Sequence, residues 1–397
     1  MLRNWIAAAT ATIVAAGCAC AGEDWPNFLG PNYDSISRET GLKKDWNTPL
    51  KLIWERSVGD SFSSFAIAGG RAYTCGTKDG KQVLLALNPA SGEIIWEFPI
   101  ENAYFEAQGG SGTRATPTVR DGKVYVLGAV GRLVCVSAAD GKLIWEQKYT
   151  GHPQWGFSGS VLVDGQLAII SAGGKQGALL ALDKDTGKQI WKSGSQPVGY
   201  CTPYPFTFEG KRYICGFMGE SAIIVAADDG KQVWEMGWKT DYNVNAATPI
   251  FHDGHLFFSS GYDHGATLIK LSKQGDKLTH TKVWESKVLL CKFQSAVLFE
   301  GHLYCSDDKG LKCVEFLTGA LKWEKKRVEH GTMVIAEGHF FLLTEKGELI
   351  IAPATPKAYE PTTTAQLLSG RCWTTPVLHN GRMYARDLER LVCFSLK

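Results

Sequence analysis

The sequence predicts an all-β protein built as an eight-bladed β-propeller. Three observations carry that expectation. An eleven-residue unit recurs along the chain, in the form ALDKDTGKQIW at 181–191. Two-residue turns ending in glycine recur eight times, 37 to 52 residues apart. The first and last copies of the unit are incomplete in complementary ways. Repeats of this period with several short strands per unit suit a propeller blade better than a helical solenoid.

The unit has a small residue first, glycine seventh and tryptophan eleventh. Ala86, Gly92 and Trp96 fit it, as do Cys135, Gly141 and Trp145. Ala181, Gly187 and Trp191 fit, then Cys313, Gly319 and Trp323. Ile224, Gly230 and Trp234 fit with a bulkier first residue, and the copy ending at Trp284 carries an insertion. The unit is expected to cover the hairpin between the third and fourth strands of a blade, with its tryptophan docking toward the next blade.

The turns are Gly69-Gly70, Asp121-Gly122, Asp164-Gly165, Glu209-Gly210, Asp253-Gly254, Glu300-Gly301, Glu337-Gly338 and Asn380-Gly381. Asp-Gly and Asn-Gly supply the positive φ that tight hairpins require. Each should join the first and second strands of a four-stranded antiparallel blade. Trp54 has the end of the unit without its beginning, and Cys393 the beginning without its end. An outer strand around Trp54 should therefore pair with the strand at 391–396, closing the ring and removing exposed edges.

Composition agrees. The 397 residues include 44 glycines and 13 tryptophans, with 44% hydrophobic residues. A net charge of +2 leaves no electrostatic case for nucleic acid. Residues 1–21 read as an export signal: Arg3 supplies the positive start, Trp5 to Ala16 the short apolar core, and Ala19-Cys20-Ala21 the cleavage site. The rival reading is lipidation at Cys18. No later stretch reaches the roughly 20 apolar residues of a membrane span. The expected organisation is a signal at 1–21, an N-terminal segment at 22–47 and the propeller at 48–397. The expected location is the periplasm or outer membrane, and the expected state a monomer.

The pattern AxDxxTGKxxW resembles the tryptophan-docking motif of the pyrroloquinoline-quinone (PQQ) repeat superfamily. That superfamily holds eight-bladed quinoprotein dehydrogenases and BamB-like lipoproteins of the outer-membrane barrel-assembly machinery. The resemblance covers nearly all of the mature chain and includes WPNFLGP (25–31), TRATPTV (113–119), SSGYDHG (259–265) and GRCWTTPVL (370–378). It implies that Trp54, Trp96, Trp145, Trp191, Trp234, Trp284 and Trp323 dock blade to blade. The same fold serves catalysts and scaffolds, so function must be argued from the site.

The dehydrogenases of that superfamily hold PQQ on a tryptophan platform beneath adjacent cysteines, beside a Ca²⁺ on acidic and amide side chains. This chain has no adjacent cysteine pair. Cys135, Cys313 and Cys393 stand at the small position of the repeat, and Cys75 and Cys215 share a place on the second strand. Cys201, Cys291 and Cys372 fall in loops entering first strands. Structural thiols are expected, with one disulfide the lesser alternative; no metal site and no cofactor are expected, PQQ and Ca²⁺ included.

Six residues before the turn glycines stand Ser64, Thr116, Gly159, Tyr204, Thr248, Ser295, Thr332 and Thr375. Small residues here fit the crowded axis, or line a polar channel. Two positions earlier the column is varied: Phe62, Arg114, Phe157, Thr202, Ala246, Phe293, His330 and Trp373. These should lie at one mouth of the channel. The binding candidates are Arg114, Asn245, Lys292, His330, Arg371 and Trp373, since cations beside aromatic rings suit an anionic or planar ligand. A solvated rim without a ligand is the plainer alternative. The expected role is a non-catalytic binding or scaffolding module of the bacterial envelope, engaging a protein partner or such a ligand. A PQQ-dependent oxidoreductase and a polysaccharide-handling propeller are the alternatives.

Overall fold

The computed structural model describes residues 23–46, 49–108, 110–151 and 153–397. The export signal and Cys18 lie outside the described residues. Eight four-stranded antiparallel meanders follow one another around the ring. Blades 1 to 7 span 66–102, 118–148, 162–193, 204–237, 250–286, 297–325 and 331–366. Blades 6 and 7 are joined into one hydrogen-bonded sheet through Ser306 and Gly331.

Blade 8 closes the ring. Its three inner strands are Val377–His379, Arg382–Arg386 and Arg390–Ser395, and its outer strand is Leu52–Ser57. Trp54 is the cross-strand partner of Cys393. Chain ends joined in one blade leave no unpaired sheet edge between first and last repeat. Arg386 ties this blade to blade 1: it is 1% exposed and donates to the carbonyls of Ser63 and Cys75 at 3.1 and 2.7 Å. Burial pushes its guanidinium pKa down to about 10, so it stays charged at neutral pH.

The repeat explains its own spacing. Each tryptophan pairs with the first residue of its unit, as Ala86 with Trp96 and Ala181 with Trp191. The indoles of Trp54, Trp96, Trp145, Trp191 and Trp284 then lie on the glycine of the next unit. A Cβ on Gly92 would come within 2.6 Å of Trp54, and one on Gly230 within 2.6 Å of Trp191. These glycines also have positive φ, 70° in both cases, so no other residue suits the position. The indole N–H reaches a carbonyl of the next blade: Trp54 to Pro89, Trp96 to Ala138, Trp145 to Lys184, Trp191 to Ala227, Trp284 to Phe316 and Trp323 to Thr355, all at 2.8–3.1 Å. Trp234 departs from the pattern and donates to His280 Nδ1 at 3.0 Å. The cause is blade 5, whose long hairpin Gly265–Gln274 and Lys277–Ser286 replaces the loop that carries the accepting carbonyl in the other units.

One turn differs from its expected position. In blade 3 Asp164 pairs with Leu167, so the turn is Gly165-Gln166 rather than Asp164-Gly165. That slip moves every inward position of the strand by one residue, which changes the site below.

Residues 25–37 cross the turn-side end of the channel. Trp25 bridges Ile67 of blade 1, the Pro26 carbonyl accepts from Val119 of blade 2, and Ile36–Ser37 pairs in parallel with Ile335 and Ala336 of blade 7. Glu39 accepts from the Asn380 and Gly381 amides of the blade 8 turn, at 2.6 and 2.9 Å. Glu337, in the blade 7 turn, accepts in return from Gly41, Leu42 and Lys44.

Candidate functional site

With one end crossed by this segment, the channel opens at the opposite mouth as a cavity of about 270 Å³. Its lower wall is a ring of hydroxyls from the segments that enter the inner strands. Inner strands converge on the axis, so small side chains fit there, and the hydroxyls supply what the crowded backbones need. Ser64 N–H donates to Thr116 Oγ1 at 3.0 Å, Thr116 N–H to Ser160 Oγ at 3.0 Å, and Ser160 N–H to Thr202 Oγ1 at 2.9 Å. Thr248 N–H donates to Ser295 Oγ at 2.9 Å. Each link joins one blade to the next. The ring members are thus Ser160 and Thr202, where the sequence alignment had put Gly159 and Tyr204. Ser160 follows from the slipped turn. Thr202 follows from the five-residue first strand Tyr204–Phe208, which carries Tyr204 beyond the ring.

The upper wall is aromatic. Phe62, Phe293, Trp373, Trp155, Tyr200 and Tyr262 all face the cavity. Trp373 stacks on Phe62 at 5.1 Å between ring centres, and Phe293 meets Trp373 at 4.9 Å. Phe157, expected at this level, is buried at 1% exposure, and Ser158 lines the cavity in its place. Tyr200 holds the position assigned to Thr202.

The six binding candidates separate sharply. Lys292 lines the cavity, and its Nζ lies 5.0 Å from the Tyr262 ring centre. Among the described residues it has no ion pair or hydrogen bond from its side chain. His330 lines the cavity but is engaged: Nε2 contacts the Glu345 carboxylate and Nδ1 lies 3.6 Å from Asp308. Trp373 Nε1 donates to the same Glu345 at 2.9 Å. Arg114 faces the cavity, yet its guanidinium donates to the carbonyls of Trp155, Gly110 and Gly112. Burial holds its pKa below the ordinary arginine value. It is the clamp of the loop at 110–114.

Arg371 lies outside the cavity wall, with its guanidinium carbon 4.7 Å from the Trp373 ring centre and a hydrogen bond to the Gln108 carbonyl. Asn245 does not face the mouth. It is fully buried, its amide donates to Met218, Gly219 and Trp238 carbonyls, and its oxygen accepts from Thr240 and Ser260. A buried amide must satisfy all its polar atoms, and here the loop backbone does so. Phe28, Trp155, Tyr200 and Tyr262 also line the cavity, and none of them stands in the column that the repeat marks. Phe28 was visible within WPNFLGP but had no neighbour in the sequence to place it.

The residues at this mouth do not fit a PQQ–Ca²⁺ pair. No adjacent cysteines cover it, and the Glu345 carboxylate is already shared by Trp373 and His330. Among the described residues no three His, Cys, Asp or Glu side chains gather as cation ligands. Among the described residues no helix is long and apolar enough to cross a membrane.

Fold and site together define a class: an eight-bladed propeller with tryptophan-docked blades and a one-ended aromatic cavity at the axis. Residues 79–310 match the family model described as outer membrane protein assembly factor BamB. That is more than half of the chain, and the chain belongs to this family. A relative named outer membrane protein assembly factor BamB, from Burkholderia pseudomallei, is 26% identical over 249 residues, covering 61% of this chain and 56% of its own length. The chain thus spans little more than half the length of that relative. BamB from Moraxella catarrhalis superposes with a TM-score of 0.64 at 15% identity, over 87% of this chain and all of the other. The quinohemoprotein alcohol dehydrogenase of Comamonas testosteroni gives 0.66 at 14% identity, over 94% and 80%. At such identities the likeness shows the fold alone.

Proposed function

We propose that the protein is a non-catalytic binding propeller of the bacterial envelope, and that the cavity mouth takes an anionic, planar group of its ligand or partner. One observation carries this reading. His330 and Arg114 of the wall are already engaged, by the Glu345 carboxylate and by loop carbonyls, while Lys292 stands without an ion pair inside an aromatic wall. Aromatic faces hold a planar group by stacking, and a partly desolvated ammonium attracts its negative charge. The relatives' name, an outer-membrane assembly factor, supports an envelope setting and a protein partner. Export by the 1–21 signal, as a monomer, belongs to the same reading; mass spectrometry of the mature N-terminus tests the signal against lipidation at Cys18.

The direct test is calorimetric titration with naphthalene-2,6-dicarboxylate, and separately with PQQ plus Ca²⁺. Saturable dicarboxylate binding that weakens at least tenfold in Lys292→Ala is the expected result. Binding undiminished in Lys292→Ala, or no binding at all, overturns the proposed site. Stoichiometric PQQ uptake with dye-linked alcohol oxidation would replace this reading by a quinoprotein dehydrogenase.

A further inference from the structure

We propose that Cys291 and Cys305 become joined by a disulfide as the protein folds, and that this bond fixes the cavity wall. All nine cysteines among the described residues are buried. One pair of them is in thiol–thiol contact: Cys291 Sγ lies 3.1 Å from Cys305 Sγ. A further approach of about 1 Å brings two such sulfurs to bonding distance. Cys135, Cys313 and Cys393 have another explanation, since each is the small cross-strand partner of a docking tryptophan. Cys291 and Cys305 occupy no such position.

The pair sits behind the cavity. Cys291 immediately precedes Lys292 and Phe293, two residues of the wall. Cys305 lies on the second strand of blade 6, His302–Asp307. The entering segment is already held in place for the bond. Leu290 N–H donates to Asp307 Oδ2 at 3.0 Å, and Cys291 N–H to Ser259 Oγ of blade 5 at 3.1 Å. Asp307 is itself fully buried and paired with Lys312 at 2.7 Å. A covalent link here staples the entry loop carrying Lys292 to the body of its blade.

The chemistry is thiol–disulfide exchange. One cysteine thiolate attacks an external disulfide RSSR, such as oxidised glutathione or a disulfide-donating protein, and expels one RS⁻. The second thiolate then displaces the other RS⁻ from the mixed disulfide. Two thiol protons are released, and the two electrons leave with the external disulfide, which ends as two thiols. In the finished fold both sulfurs are shielded, and the contact with Cys291 together with burial raises the Cys305 thiol far above its ordinary pKa. The exchange therefore belongs to the stage when blades 5 and 6 assemble. The same burial afterwards protects the bond from reductants.

This inference is independent of the ligand reading. The test refolds the full chain from guanidinium with oxidised and reduced glutathione, alkylates in denaturant with N-ethylmaleimide, and maps the peptides with and without reductant. The expected result is a peptide pair linked through Cys291 and Cys305 that separates on reduction. Recovery of both residues alkylated, or of either bridged to another cysteine, overturns the proposal. A second arm needs no cross-linked peptide. Reduction under denaturing conditions, followed by refolding with reductant kept present, should lower the melting temperature of the wild type and leave that of Cys291→Ser/Cys305→Ser unchanged. Equal melting of the wild type with and without that treatment overturns the wall-fixing role.

Discussion

Trp54 and Cys393 face each other across the strand pair that closes the propeller. One stands near the start of the described chain and the other near its end. The ring is therefore held by a contact that no local segment contains. Removing residues 391–397 takes away the inner neighbour of the Trp54 strand and bares the strand Arg382–Arg386. Such a truncation is expected to cut the yield of soluble, folded protein sharply. Thermal melting of the purified fragment checks it, and an unchanged transition contradicts closure by this strand pair.

Docking predicts a matched pair of variants. Trp191 is 6% exposed and lies against Gly230. Trp191→Ala leaves a cavity and should cost roughly 3–5 kcal/mol. Gly230→Ala should also destabilise, because its φ of 70° and the indole 2.6 Å from the new Cβ both oppose a side chain. In the double variant the indole clash is gone, so the two losses should not add. Urea unfolding of the three proteins measures this.

Arg114 and Lys292 are both cations of the cavity wall, and their variants should behave oppositely. Arg114→Ala orphans three backbone carbonyls, so its main effect should be a lower melting temperature. Lys292→Ala breaks no hydrogen bond or ion pair and should leave melting within about 0.5 kcal/mol of wild type while weakening anion binding. Melting and titration on the same samples separate the two.

Acid should weaken one anchor of the N-terminal segment. Lys44 and the amides of Gly41 and Leu42 hold the Glu337 carboxyl down to about 2, from an ordinary value of 4.5. A folded-state pKa lowered in this way contributes stability above about 4.5 and loses it as pH falls toward 2. Wild type should therefore melt higher than Glu337→Gln at pH 6, with the difference shrinking as pH falls from about 4.5 through about 2. A difference that stays constant over that range contradicts the linkage. The group is solvent-accessible, so the effect should be small.

What the sequence by itself determined was the ring. The Asp-Gly and Asn-Gly turns, the small–glycine–tryptophan unit and its two broken ends depend on local backbone chemistry and on a period, and both are written in consecutive residues. Blade number, strand order and the Trp54–Cys393 closure were legible for that reason. What only the tertiary structure decided was which side chains meet at the axis. A one-residue slip at Gly165-Gln166 exchanged Phe157 for Ser158 at the mouth, and the longer first strand Tyr204–Phe208 of blade 4 put Tyr200 there. The two-residue shift keeps the alternation, and the one-residue slip falls where Val161, Leu162 and Val163 are all buried, so hydrophobicity registers neither. Asn245 and Lys292 look alike in sequence as polar residues of entry loops. One is consumed by three carbonyls and two hydroxyls, and the other by none. Cys305, which had no assigned place in the repeat, meets Cys291 only because the entry loop folds back over its own blade. Such contacts arise from packing between segments, and packing is a property of the closed ring.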